Sequence, residues 1–241
     1  MSLITNLISH WKLDEATGNK TDSHGTNTLT NNNSVASVAG KINNASSFSS
    51  ASARYLSGTK IGHTYGAPMS YNFWVNLPST SEKGIFLEDS GLGVGGTTNG
   101  FAVGVGSGIL DTNGNNLIIP FWGVDWQDTG VAIGTGWHMI TVIIQSNRKL
   151  KAYKDGTLVF TGTSTMGVFA NQPFFISKSS YTGQPRYLSN GYIDEVSVWN
   201  KELTGSEITE LYNSGTGITY PFTTGPTDYN KSFLPMFRRL K

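Results

Sequence analysis

Apolar and polar residues alternate in short runs along most of this chain. A period of two, rather than of three to four, marks strands with one buried face. In SYNFWVNLP, Tyr71, Phe73 and Val75 share one face and Asn72, Trp74 and Asn76 the other, until Pro78 stops the run. Leu7, Trp11 and Leu13 point one way in LISHWKL, predicting a first strand that ends at Asp14-Glu15. GIFLEDS, GFAVGVG, NLIIPFWG, GWHMITVIIQ and QPFFISKS are further strands, and VDWQDTGVAIG reads as a loop. In LKAYKDGTLVFTG, Asp155-Gly156 supplies the positive backbone angles of a two-residue type I′ hairpin turn. TGNKTDSHGTNTLTNNNS, dense in Asn, Asp, Gly, Ser and Thr, reads as a loop of tight turns.

The pattern changes once, between Gly191 and Gly217. Ile193 to Trp199 reads as a strand in which Tyr192, Asp194, Val196 and Val198 share one parity, so Asp194 is expected beside core valines. Thr204 and Glu207 then form a capping box, and Leu203 with Ile208 has the spacing of a hydrophobic staple. Ile208, Leu211 and Tyr212 make one apolar stripe, and Gly215 or Gly217 ends the helix. About a dozen short strands and one helix predict an all-β protein: a single antiparallel β-sandwich over residues 1–220, with a tail at 221–241.

Composition narrows the function. The 241 residues include 29 Gly but only 14% charged residues, with a net charge of +1, so no overall basic footprint points to nucleic acid or a membrane surface. No apolar run is long enough to span a bilayer, and the amino terminus lacks the basic start and apolar segment of a secretory signal. With no cysteine there are no disulfides, thiolate zinc sites or cysteine nucleophiles.

WKLDEATGNKTDSHGTN, SYNFWVNLP, GWHMITV, KLKAYKDGTLV and GYIDEVSVWNKELTGSEITELYNSG, in that order, resemble the laminin-G-like, concanavalin A-like jelly-roll domains over roughly Leu7 to Tyr220. The resemblance implies two curved antiparallel sheets and a lectin-like binding module, of a kind found in bacterial surface proteins and bacteriophage virion proteins. It also implies a structural calcium, with Asp194 at the matching position and Asp14, Asp22 and Asn27 as partners. The alternative for Asp194 is that it accepts backbone amides and pins a loop. Both readings stay open at this stage.

No enzyme is expected. Glycanase relatives carry a Glu-x-Asp-x-Glu cluster that this chain lacks, and Glu88 and Asp89, as strand neighbours, should face opposite sides. The four histidines have no metal-ligand spacing, and His138 is expected to be structural. The candidate glycan site is Trp122, Asp125, Trp126, Gln127 and Asp128, joined by Tyr181 and Arg186 from a second loop that also holds Gln184 and Tyr187. The alternative is that the tryptophans pack and the polar residues merely solvate a loop. In the tail, Phe233, Leu234, Met236 and Phe237, beside Arg238 and Arg239, are expected to dock on a partner or on the parent domain. The combined expectation is a non-enzymatic lectin-like protein on the surface of a phage virion, as capsid decoration or a head or tail fibre. It would be made in the host cytoplasm and able to bind host glycans. A secreted or cell-surface carbohydrate-binding module is the alternative, with a glycoside hydrolase less favoured.

Overall fold

The computed structural model describes residues 2–61, 66–89, 100–110, 112–122, 125–163, 173–180 and 186–222. The strands run β1 (Leu7–Trp11), β2 (Thr30–Asn32), β3 (Ala36–Ala39), β4 (Asn44–Ser49), β5 (Tyr55–Gly58), β6 (Met69–Leu77), β7 (Gly84–Asp89) and β8 (Phe101–Gly106). After them come β9 (Asn116–Phe121), β10 (Asp125–Ala132), β11 (Gly136–Ile144), β12 (Lys149–Lys154), β13 (Thr157–Thr163), β14 (Phe174–Ile176) and β15 (Asn190–Trp199), followed by α1 (Gly205–Tyr212). They form two antiparallel sheets. The first has the order β13-β12-β11-β6-β15-β4-β3, with β1 also paired to β15, and the second has the order β10-β9-β8-β7-β14-β5-β2.

The core lies where alternating residues of the two sheets meet. Tyr71, Phe73 and Val75 all point into it from β6, as the alternation predicts. Tyr71 packs 4.6 Å from Phe101 and Phe73 packs 5.6 Å from Phe86, centroid to centroid. Each such ring contributes on the order of 2–3 kcal/mol by leaving water.

The outer face of the first sheet is covered. Trp74, Met139, Ile143 and Trp199 turn away from the core and are sealed by Leu3, Leu203, Ile208, Leu211 and Phe222. An eight-residue helix is too short to persist alone in water. Here α1 is held by that apolar face and by its cap: Thr204 Oγ1 accepts from the Glu207 amide while the Glu207 carboxylate accepts from the Thr204 amide. The cap and stripe match the sequence expectation. Buried Phe222 extends the packed sandwich two residues past the boundary expected at 220. Residues 223–241, with Phe233, Leu234, Met236, Phe237, Arg238 and Arg239, lie outside the described residues.

Four local expectations need correction. VDWQDTGVAIG is largely strand: β10 pairs with β9 at the sheet edge, where a strand needs no apolar alternation because only one side is packed. Within the Asn-rich loop, Thr30–Asn32 adds an edge strand against β5. A register shift between Leu7 and Ser9 turns Leu7 to the outer cluster, while Trp11 and Leu13 enter the core. The shared parity of Tyr192, Asp194, Val196 and Val198 is broken. Glu195 takes φ 50° and β15 shifts register between Asp194 and Ser197, so this bulge leaves Ile193, Val196 and Val198 facing the core and Asp194 opposite Trp74 on the outer side.

Candidate functional site

The acids expected around one ion are held apart. Asp194 Oδ2 accepts the Lys41 and Ile42 amides at 2.8 and 3.0 Å, and Oδ1 accepts the Glu195 amide at 2.9 Å. Asp194 therefore pins the turn between β3 and β4. That turn passes so close that a Cβ on Gly40 would meet Asn44 O at 2.5 Å and Asp194 Oδ2 at 2.7 Å. Asp14 holds the same turn from its other end, accepting the Asn44 amide at 3.0 Å. Asp22 belongs to a different loop, where it accepts the amides of His10, His24, Gly25 and Asn27. Among the described residues no three His, Cys, Asp or Glu side chains converge, and Asp14, Asp22 and Asp194 each accept from separate backbone amides. Burial, then the neighbouring Glu195, pushes the Asp194 carboxyl up to about 8.

A buried polar chain next to Asp194 was invisible in the sequence. Ser197 Oγ lies 2.7 Å from His10 Nδ1, and His10 Nε2 lies 3.0 Å from Glu195 Oε2. All three side chains are at most 2% exposed and sit beneath Tyr220 and Phe222, so no substrate reaches them. Burial dominates both titrations, lowering His10 to about 3 and raising Glu195 to about 8. The pair is thus neutral near pH 7, with the proton on the carboxyl. The signal available in the sequence was Asp194-Glu195 itself. Two adjacent acids inside an apolar strand require either a bulge or two separate polar partners.

His138 has the structural role expected of it. Its Nδ1 lies 2.7 Å from Asp155 Oδ2, and Asp155 also accepts the Met139 amide at 2.9 Å. Asp155 and Gly156 adopt φ 52° and 78°, as a type I′ turn requires.

The outer face of the second sheet carries the remaining candidates. Because β10 is a strand, its pleat divides them. Trp126 lies opposite Pro120 and Asp128 opposite Ile118, on the outer side with Trp122, whereas Asp125 and Gln127 lie opposite Phe121 and Ile119, which face the core. Asp125 and Gln127 hydrogen-bond each other at the sheet edge. Both Asp128 oxygens are occupied, accepting from the Gly108 and Gly130 amides and from Asn116 Nδ2. Trp122 is buried and meets the partly buried Trp126 edge-on at 5.4 Å. The Arg186 guanidinium lies 5.5 and 5.4 Å over the two indoles. Trp126 is therefore the indole available for stacking, with Trp122 as its support. Tyr181 and Gln184 lie outside the described residues.

Beneath this face sits Glu88, fully buried. Glu88 and Asp89 do face opposite ways: Asp89 accepts from Tyr71 Oη in the core at 2.7 Å, and Glu88 accepts the Ser180 amide on the outer side at 2.6 Å. Burial raises the Glu88 carboxyl to about 7, against the pull of Ser180 and of the nearby Trp122 indole, and the Asp89 charge adds to the rise. Its Oε2 has no hydrogen-bond partner. Further along, Phe175, Tyr55 and Tyr187 continue the aromatic surface at centroid spacings of 6.1 Å, with Lys178 Nζ 4.2 Å over the Tyr55 ring.

A sandwich of two antiparallel sheets closed by a capped helix, with an aromatic outer face, defines a lectin-like jelly roll. The model of the concanavalin A-like lectin/glucanases superfamily matches residues 49–209, and the chain belongs to that superfamily. No curated protein sequence matches the chain. Among solved structures it is similar to the binding domain of Paraclostridial Mosquitocidal Protein 1, with a TM-score of 0.66 and 14% identity over 88% of this chain and 53% of that one. It is also similar to domain 4 of AbnA, a GH43 extracellular arabinanase from Geobacillus stearothermophilus, solved with arabinotriose. There the TM-score is 0.64 and the identity 22%, over 85% and 97% of the two chains. A structure describing ganglioside-dependent cell entry of botulinum neurotoxin type C matches with a TM-score of 0.65 and 18% identity, over 88% and 52%. The chain spans about half the length of the two toxin chains.

Proposed function

We propose that this protein is a non-catalytic carbohydrate-binding jelly roll whose ligand lies on the outer face of the second sheet. The observation that carries the reading is the partly buried Trp126 indole, braced edge-on by buried Trp122 with Arg186 over one face. A rigid indole offers a flat apolar surface to the C–H face of a sugar ring, while the guanidinium donates to hydroxyls. Catalysis is not proposed, because the acids needed for glycoside hydrolysis must face one another and Glu88 and Asp89 do not. A glycan array probed with the native protein and with Trp126→Ala tests the reading. Binding by the native protein that the variant loses supports it, and an array on which the native protein binds nothing overturns it.

We favour display of this module on a larger assembly, with a phage particle as the setting. Leu3 and Phe222 both pack on the outer face of the first sheet against Trp199, away from the proposed ligand face. Anchoring through either described end would leave the second sheet outward. Deleting residues 223–241 tests the tail as an anchor, and full occupancy of the truncated protein on its assembly would rule that role out. The second reading, a module of a secreted enzyme, draws support from the match to nearly the whole of the arabinanase domain.

A further inference from the structure

We infer that the proposed glycan site has a second ring-stacking station, built by Tyr187 on Tyr55, and that its ligand is a linear oligosaccharide long enough to touch both stations. The inference rests on the carbohydrate-binding reading and specifies its ligand class. Leu56 and Ile176 enter the core, so their strand neighbours Tyr55 on β5 and Phe175 on β14 face outward, on the side that carries Trp126. The Tyr55 and Tyr187 centroids lie 6.1 Å apart at 49°, and Phe175 is 6.1 Å from Tyr55 on its other side. Tyr55 and Tyr187 are partly buried and Phe175 is buried. Lys178 Nζ stands 4.2 Å over the Tyr55 ring. The arrangement repeats that of Trp126 on Trp122: a partly buried ring leans on a neighbouring ring beside a long basic side chain. Such a ring offers an apolar surface to a sugar, and its phenol exchanges hydrogen bonds with sugar hydroxyls. Partial burial, then the neighbouring Tyr55, raises the Tyr187 phenol above its ordinary value, so it keeps its proton as a donor.

The two stations hang on one backbone step. Arg186 lies over Trp122 and Trp126, and the next residue, Tyr187, lies against Tyr55. That step is fixed to the strand that precedes it. The Ser179 amide donates to Arg186 O at 3.2 Å, the Arg186 amide to Ser179 Oγ at 2.9 Å, and the Leu188 amide to Ser177 Oγ at 3.3 Å. Gly84, at the head of β7, lets the step lie close: a Cβ there would meet Tyr187 O at 2.0 Å. The spacing between the stations is thus held by the sheet, and fixed spacing lowers the ordering cost of binding.

That spacing selects length. Trp126 stands on β10 and Tyr55 on β5, with β9, β8, β7 and β14 between them in the sheet. Steps of roughly 4.8 Å from strand to strand put the two stations about 24 Å apart. A monosaccharide or disaccharide covers one station at a time. A longer chain running across the strands reaches both, and the second contact then forms at the effective concentration set by the first. Recognition of one terminal sugar would use Trp126 alone and leave the tyrosine pair to water.

The test is titration calorimetry of the full chain with linear arabino-, xylo- and cello-oligosaccharides, each from disaccharide to hexasaccharide. In at least one series the hexasaccharide is expected to bind about tenfold or more tightly than the disaccharide. Tyr187→Ala and Tyr55→Ala are each expected to remove that gain while leaving disaccharide binding unchanged. Tyr187→Phe should keep most of the gain, and Trp126→Ala should weaken every length. Affinity that does not change with length overturns the inference while leaving the carbohydrate reading intact. So does a gain that survives both alanine variants, or a loss in them that is equal at all lengths. If no series binds at any length, the inference fails together with the reading beneath it. Circular dichroism of each variant separates loss of binding from loss of fold.

Discussion

His10 Nε2 lies 3.0 Å from Glu195 Oε2 inside a pocket that both side chains leave at most 2% exposed to water. The two groups titrate in opposite directions from their ordinary values, and the pH dependence of stability follows. Glu195 and Asp194 are raised to about 8, so the stability they contribute is present below the usual carboxylate range and is lost as pH climbs through about 8. His10 is lowered to about 3, so its contribution is present above about 6.5 and is lost as pH falls toward 3. Between about 6.5 and about 8 the histidine is neutral in both states and the acids decide. Urea midpoints should decline across that window, and Glu195→Gln, which keeps a donor for His10, should flatten the decline. A native profile level from pH 6 to pH 9 would contradict the assignment.

Asp194 should be costly to remove. Asp194→Ala strips the Lys41 and Ile42 amides of their acceptor inside a part-buried turn, and each orphaned donor costs about 1–3 kcal/mol. A loss of roughly 2–5 kcal/mol in chemical denaturation is expected. The same apparatus examines calcium. With the acids committed to separate amides, the midpoint should be the same in EDTA and in millimolar calcium, and an upward shift with calcium would show that an ion displaces those bonds.

Thr204→Ala should lower stability by about 1 kcal/mol, since the hydroxyl caps the Glu207 amide at the start of α1. The effect should also appear as faster exchange of the Glu207 amide. A change under a few tenths of a kcal/mol would mean that Lys201, 2.6 Å from Glu207, holds the turn without the cap.

Glycan affinity should fall as pH rises through about 7, because ionising buried Glu88 strains the packing of Trp122, which braces Trp126. The groups around that carboxyl are Ser180 and Trp122 beside it, Asp89 behind it and Arg186 over Trp122. A change of roughly twofold to tenfold between pH 6 and pH 8 is expected, with Glu88→Gln insensitive to pH. A native affinity constant across this range would detach Glu88 from recognition.

How much of this could be read beforehand depended on whether a signal was local. The faces of β6, the Asp155-Gly156 turn and the cap at Thr204 depend on residues within a few positions of one another, and all three stand as the sequence suggests. Edge strand β10 escaped notice because Asp125, Gln127 and Asp128 look like loop residues until the partner β9 is known. Their grouping into one binding loop failed for the same reason: a pleat separates what a loop would have gathered. The Ser197–His10–Glu195 chain joins residues 187 positions apart and leaves no periodic trace. Trp126 and Arg186 were legible as types, yet their stacking needs two loops brought together by the sheet.

The bulge at Glu195 gives β15 two halves of opposite phase. Removing that one residue would restore an unbroken two-residue period and leave Ile193, Val196 and Val198 facing in and Asp194 facing out, as they do now. What disappears is the carboxyl against His10 Nε2. Deleting Ser197 instead would keep the bulge and put Val196 and Val198 on successive positions of the pleat, forcing one of them out of the core, whereas one residue lost from the Asp128–Ala132 stretch of β10 meets a register already irregular. Tolerance to deletion within β15 should therefore differ sharply between Glu195 and the residue two places on.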